Sequence, residues 1–126
     1  MNILKVLTPN RIIGNFGERR AVWHLIKKGY RILERNYEAN GAEIDIIARK
    51  KNITAFVEVK ARKKGSMVSP LEAVNHAKQN HLRIAASRFI QSCDAKYKIL
   101  QPRFDVVCVT IGKIGFKVTE HIENAF

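Results

Sequence analysis

Apolar and polar residues alternate along two neighbouring stretches, Glu43-Ile44-Asp45-Ile46-Ile47-Ala48 and Ala55-Phe56-Val57-Glu58-Val59-Lys60, and this alternation predicts two strands. A two-residue loop at Lys51-Asn52 closes them as an antiparallel hairpin in which opposed residue numbers sum to 103. Ile44 then faces Val59, Ile46 faces Val57 and Ala48 faces Ala55, an unbroken apolar surface. On the other face Asp45 meets Glu58 and Glu43 meets Lys60. Upstream, a helix is expected from about Phe16 to Lys28, with Asn15 and Glu18 at capping-box spacing and Gly29 where a helix stops. Val22 and Leu25 share the face of Glu18, so that carboxylate borders the core. Tyr30 to Tyr37 reads as a strand, followed by a turn through Asn40-Gly41. Downstream, Ser69-Pro70-Leu71-Glu72 has the residues of a helix start. That helix should run to about Gln91 and bury Val74, Ala77, Leu82, Ala85 and Phe89. Arg103 to Ile111 is nearly continuous in apolar residues, as in a sheet interior. Strand, helix and strand in succession imply a right-handed parallel crossover. Gly112-Lys113-Ile114-Gly115 turns into a last edge strand, Phe116 to about Ile122. The pattern as a whole predicts a three-layer α/β domain with a mixed sheet and helices on both faces.

Carboxylates directly opposite each other in a sheet repel, and a fold with no use for them should avoid the arrangement. A divalent cation reverses the sign. Oxygen ligands from Asp45 and Glu58, completed by the Val59 backbone carbonyl and waters, suit Mg2+ or Mn2+. Lys60 on the same strand could orient an attacking water or neutralise developing charge, so the pattern points to metal-assisted phosphodiester hydrolysis. The plainer reading is a surface ion-pair cluster. Ile47 and Phe56 share the charged face, however, and charges on a partly buried face need a partner or a metal. Glu18 has two readings: a helix cap, or an additional ligand reaching the Asp45 and Glu58 cluster.

Gly41-Ala42-Glu43-Ile44-Asp45-Ile46-Ile47-Ala48, Phe56-Val57-Glu58-Val59-Lys60-Ala61-Arg62, Pro70-Leu71-Glu72-Ala73-Val74 with Lys78, and Arg103-Phe104-Asp105-Val106-Val107 occur in that order. Together they resemble the YraN family of small bacterial proteins, itself similar to the restriction-endonuclease-like superfamily with its PD-(D/E)XK active site. The resemblance runs from about Gly14 to Val109. It implies a restriction-endonuclease-like αβββαβ core, Asp45, Glu58 and Lys60 at the catalytic positions, and Glu18 as a helix-borne carboxylate at the metal. Ile44 stands where the superfamily name has Pro, and Tyr37-Glu38 stand where YraN relatives often carry a basic residue.

Charge adds a partner. The chain of 126 residues has 23 Lys and Arg against 11 Asp and Glu, a formal charge of +12 with a sequence pI near 10.1. Phosphate backbones attract such a surface in a salt-dependent way that is largely blind to sequence. Arg62, Lys63 and Lys64 form a basic segment beyond Lys60 and are candidate phosphate contacts. Lys78 is a further candidate from the following helix, where a solvated lysine is the default. The expectation is a metal-dependent endonuclease acting on nucleic acid, with DNA in repair or recombination foremost. A homodimer is the simplest way for so small a domain to cut two strands. The alternatives are an inactive nucleic-acid binding module of the same fold, a ribosome-associated protein, a basic protein scaffold, or a protein of anionic membranes. No apolar run approaches the roughly 18 residues of a spanning helix, and no basic amphipathic helix stands out. Cys93 and Cys108 are expected to be reduced, and the four histidines show no zinc spacing. Met1 to Leu7 lacks a cleavage site and Pro9 soon interrupts it, so a cytoplasmic protein is expected. We divide the chain into an N-terminal extension, residues 1–13, and one domain, residues 14–126.

Overall fold

Two tight turns organise the centre of the protein. Asn40 and Gly41 both take left-handed backbone (φ 53° and 75°), as a two-residue hairpin loop with right-handed strand twist requires, and Lys51 does so at the next loop (φ 54°). They connect β1 (Arg31–Ala39), β2 (Ala42–Lys50) and β3 (Ile53–Lys63). These elements belong to a computed structural model that describes residues 9–65, 74–93 and 101–126, with side chains from residue 15 onward except at 119. The β2–β3 register is the one the sequence predicts, from Lys50↔Ile53 to Ile46↔Val57. β4 (Gln101–Gly112) lies parallel to β3, and β5 (Gly115–Ile122) folds back antiparallel on β4. The result is one mixed sheet in the order β1-β2-β3-β4-β5, with β5 the expected edge strand.

Helix α1 (Pro9–Lys27) covers one face of this sheet. Its start corrects the sequence reading. Asn15 and Glu18 lie inside the helix, so they form no capping box, and Glu18 is released from that role. The end is as expected: Gly29 at φ 95° lets Tyr30 N–H donate to the Leu25 carbonyl (3.0 Å) and Gly29 N–H to that of Ile26 (3.0 Å), a Schellman closure. Ala21 and Leu25 pack on Ile46, Ala48, Ala55, Val57, Val107 and Val109. Gly17 makes a close approach possible, because a Cβ there would sit 3.0 Å from the Ala61 Cβ on β3.

Helix α2 (His76–Ser92) covers the other face, with Leu82, Ala85, Ala86 and Phe89 packed against Ile44, Ile47, Phe56 and Val106. Asn75 caps it by accepting from Lys78 N–H at 2.9 Å. The predicted start at Ser69–Glu72 lies outside the described residues. A single helix from there to Gln91 is corrected by Val74 and Asn75, which are not helical. Val74 is buried as expected, whereas Ala77 is exposed, because the helix begins only one residue before it. Cys93 and Cys108 are reduced. Among the described residues no helix is long and apolar enough to cross a membrane.

Candidate metal centre

Asp45 sits where both ladders of β2 are interrupted. Toward β3 the pairing ends at Ile46↔Val57, and toward β1 it passes from Arg35↔Ile46 to Tyr37↔Ile44 without an Asn36 to Asp45 pair. On the β3 side the Asp45 side chain takes the place of a backbone partner, its Oδ2 accepting the Val59 N–H at 2.8 Å, and on the β1 side the missing pair coincides with the left-handed backbone of Asn36 (φ 52°). The expected opposed pairs Ile44 with Val59, Asp45 with Glu58 and Glu43 with Lys60 therefore do not form as ladder partners. Alternation also slips by one residue here. Ile46 packs toward α1, while both Ile44 and Ile47 pack toward α2, so the unbroken apolar face predicted from Ile44 to Ala48 is corrected.

Parting the strands opens room for acidic groups. Glu18 from α1 and Glu43 and Asp45 from β2 each bring an oxygen within 4.8 Å of the others. Arg35 lies 3.9 Å from Glu18 Oε2. With its carboxamide nitrogen turned toward the acids, Asn36 donates to Glu43 Oε1 at 3.0 Å and to Glu18 Oε2 at 3.1 Å. Asn36 does this from φ 52° within a strand, a left-handed conformation that Asn tolerates better than most residues.

Glu58 approaches from β3 and is 5% exposed. Lys60 Nζ at 3.5 Å and Lys78 Nζ at 3.6 Å both approach its Oε1. Its Oε2 is buried and has no hydrogen-bond partner among the described residues. Burial pushes the Asp45 carboxyl up, to about 8. Glu58 pushes the same way, the Val59 N–H opposes it, and Glu18 and Glu43 add smaller upward pressure. Asp45, raised by burial and by neighbouring carboxylates, and Glu58, which keeps one unpartnered buried oxygen although two lysines approach the other, fit a hard divalent cation.

The predicted residues thus divide. Glu18 and Asp45 meet in one acidic group with Glu43, and Glu58 lies outside that group with Lys60 and Lys78, near enough to Asp45 to raise its carboxyl. Lys60 pairs with Glu58 instead of Glu43, because the ladder that would oppose Lys60 to Glu43 has ended. Arg62, Lys63 and Lys64 line a separate cleft with the β4–β5 hairpin. Sequence reading missed Glu43 as part of the acidic group and missed Asn36, whose only sequence signal is an Asn in a strand at the position facing Asp45. It also missed a second polar cluster. Asp105, fully buried on β4, receives Arg103 Nε at 2.8 Å, Arg103 Nη2 at 2.7 Å and the Asn124 N–H at 3.1 Å, and meets His121 Nε2 at 2.9 Å. Two of the four histidines converge here, with His24 Nε2 3.3 Å from His121 Nδ1.

The architecture is α/β, a mixed sheet between two helices, consistent with a three-layer nuclease-like class. The chain belongs to the uncharacterised protein family UPF0102, the YraN family, whose model matches residues 17–109. It is 42% identical to a UPF0102 protein of Alkaliphilus oremlandii over 93% of this chain and 99% of that one. It is 45% identical to a UPF0102 protein of Alkaliphilus metalliredigens over the same shares. A UPF0102 protein of Caldanaerobacter subterraneus is 41% identical over 92% of this chain and 95% of its own.

Proposed function

We propose that this protein is a Mg2+- or Mn2+-dependent nuclease that hydrolyses phosphodiester bonds in DNA during repair or recombination. The observation that carries the reading is Glu58 Oε2, buried without a partner beside an Asp45 whose carboxyl is pushed up to about 8. Asp45, Glu58 and the Val59 carbonyl hold the cation, and Glu18 supports them from α1. When bound, the cation supplies polarisation of a phosphoryl oxygen and a more acidic water. Lys60 holds its ammonium beside Glu58, where it orients the attacking water and offsets charge developing on the phosphate. Lys78 carries a second positive charge to the same carboxylate from α2. Arg62, Lys63, Lys64 and the charge of +12 hold the phosphate backbone by counterion release.

The test is cleavage of labelled single-stranded, duplex, flap and four-way-junction DNA and structured RNA, with Mn2+ or EDTA. Wild type is compared with Asp45→Ala and Lys60→Ala. The expected result is cutting that needs the metal and disappears in both variants, with metal binding retained in Lys60→Ala. Cutting by Lys60→Ala would remove that lysine from the mechanism. Binding of the panel by every protein with no cutting by any would put the inactive binding module in place of the nuclease.

A further inference from the structure

Beyond Lys60, β3 continues for three residues alongside β4, and the β4–β5 hairpin closes over its end. Between them lies a cleft of about 830 Å³. Arg62, Lys63, Lys64, Lys113 and Lys117 line it, with no acidic residue among the described residues of its walls. The cleft is not only basic. Phe116 forms part of its lining, and Phe16 of α1 stacks on Phe116 with ring centroids 5.6 Å apart and planes 23° from parallel. Phe16 is 46% exposed, an unusual position for a Phe, and the Arg19 guanidinium stands 6.0 Å from its ring centroid. Ile114 at the hairpin tip is fully exposed.

Cations alone would suit any anionic surface. A basic cleft that reaches an aromatic pair, one ring of which is exposed, suits a polymer whose phosphates and flat bases alternate, and only an unpaired strand leaves its bases free to stack on protein rings. We propose that this cleft binds a single-stranded segment of DNA, with phosphates held by Lys63, Lys64, Lys113 and Lys117 and bases stacked on the Phe16–Phe116 pair. Arg62 lies two residues after Lys60, about 7 Å along an extended strand, so a strand seated in the cleft leads directly to the acidic cluster. The preferred substrate is then a structure with an unpaired arm, such as a flap. This deepens the nuclease reading and rests on its nucleic-acid partner, though not on cleavage.

The experiment measures equilibrium binding in EDTA, by anisotropy, of a labelled oligothymidine, a base-free phosphodeoxyribose strand of equal length, and a blunt duplex. Wild type should hold oligothymidine about tenfold more tightly than the base-free strand, the scale expected of base–aromatic stacking. Phe16→Ala should abolish that preference while leaving the base-free strand bound as before. Phe116→Leu, which keeps an apolar side chain against the core, should do the same. The Lys113→Ala/Lys117→Ala double variant should weaken both strands equally and lower the salt dependence. Equal wild-type affinity for the two strands would overturn the proposal, as would folded Phe16→Ala with unchanged preference. Competition by anionic phosphatidylserine vesicles as effective as that by oligothymidine would also overturn it, in favour of a lipid surface. Failure of metal-dependent cutting alongside a preserved base preference would sink the nuclease reading alone. Cutting without base preference would sink this inference alone.

Discussion

Asp45 and Asp105 are aspartates on neighbouring parts of one sheet, and their surroundings are opposite. Asp105 is fully buried, and every oxygen is satisfied: Arg103 grips it with two nitrogens, His121 and the Asn124 N–H complete the set. Burial alone would raise its carboxyl, but these donors outweigh that and hold it below its ordinary value. Asp45 has one backbone donor, and its other close neighbours are carboxylates. Its carboxyl is raised. The contrast separates an acid whose charge is matched by donors from one whose charge is not, and the proposed function assigns the second to a cation. Asp105 joins β4 to β5 and, through the Arg103 contact with the Tyr30 hydroxyl, to the chain just after α1. Asp45 joins nothing that a neutral side chain could not, and the pairing of β2 with β3 ends beside it.

Removing each acid is the severest way to break the comparison. Asp105→Ala leaves Arg103 and His121 facing a void, and loss of one partner from a buried charge pair costs about 3–5 kcal/mol. Urea unfolding should show that loss. Asp45→Asn in metal-free buffer should unfold at the same urea concentration as wild type or a higher one, since it removes the cost of burying an ionisable carboxyl and, after that, repulsion from Glu58, Glu18 and Glu43. Equal destabilisation by the two substitutions would erase the distinction between them.

A smaller effect belongs to Asn36. Ala at φ 52° pays about 1–2 kcal/mol for the left-handed backbone and also loses the bridge between Glu18 and Glu43. Gly adopts that backbone freely, so Asn36→Gly isolates the carboxamide. If thermal unfolding of the Gly variant matches wild type, the bridge contributes nothing, and the acidic group holds together without it.

The gentlest probe is pH. Asp105, with its carboxyl lowered, adds stability that is present above the ordinary value of 3.8 and is lost as pH falls through its folded value. Asp45, raised to about 8, does the reverse: the folded protein holds that proton longer, so its contribution is present below 3.8 and is lost as pH rises toward about 8. Metal-free thermal midpoints should therefore fall with rising pH across that upper range, and Asp45→Asn should flatten this limb while keeping the acid one. An unchanged slope in the variant would assign the limb to other groups.

Much of this was legible in the chain. Alternation and turn residues specify the β2–β3 register down to the loop at Lys51-Asn52, because a slip by one residue would take Ile46 and Ala48 off the face they share with Ala55 and Val57. The same regularity misled at Asp45. Periodicity assumes an intact ladder, and only the folded geometry reveals that the carboxylate takes the Val59 N–H where the β2–β3 pairing ends. The start of α1 was hidden by Asn15 and Glu18, whose capping-box spacing is also compatible with a helix interior. The Asp105 cluster was illegible because its members come from α1, the segment after it, β4 and the end of β5. Arg103, Asp105 and His121 have no common local pattern. The convergence of Phe16 with Phe116 is likewise a product of tertiary packing.

We propose that the acidic group around Asp45 holds a divalent cation. Calorimetric titration of the metal-free protein with Mn2+ at neutral pH tests it most directly, with Asp45→Asn and Glu58→Gln in parallel. We expect saturable binding by wild type, accompanied by proton release as Asp45 ionises, and loss of binding in both variants. Mn2+ binding of undiminished affinity in folded Asp45→Asn would contradict the account.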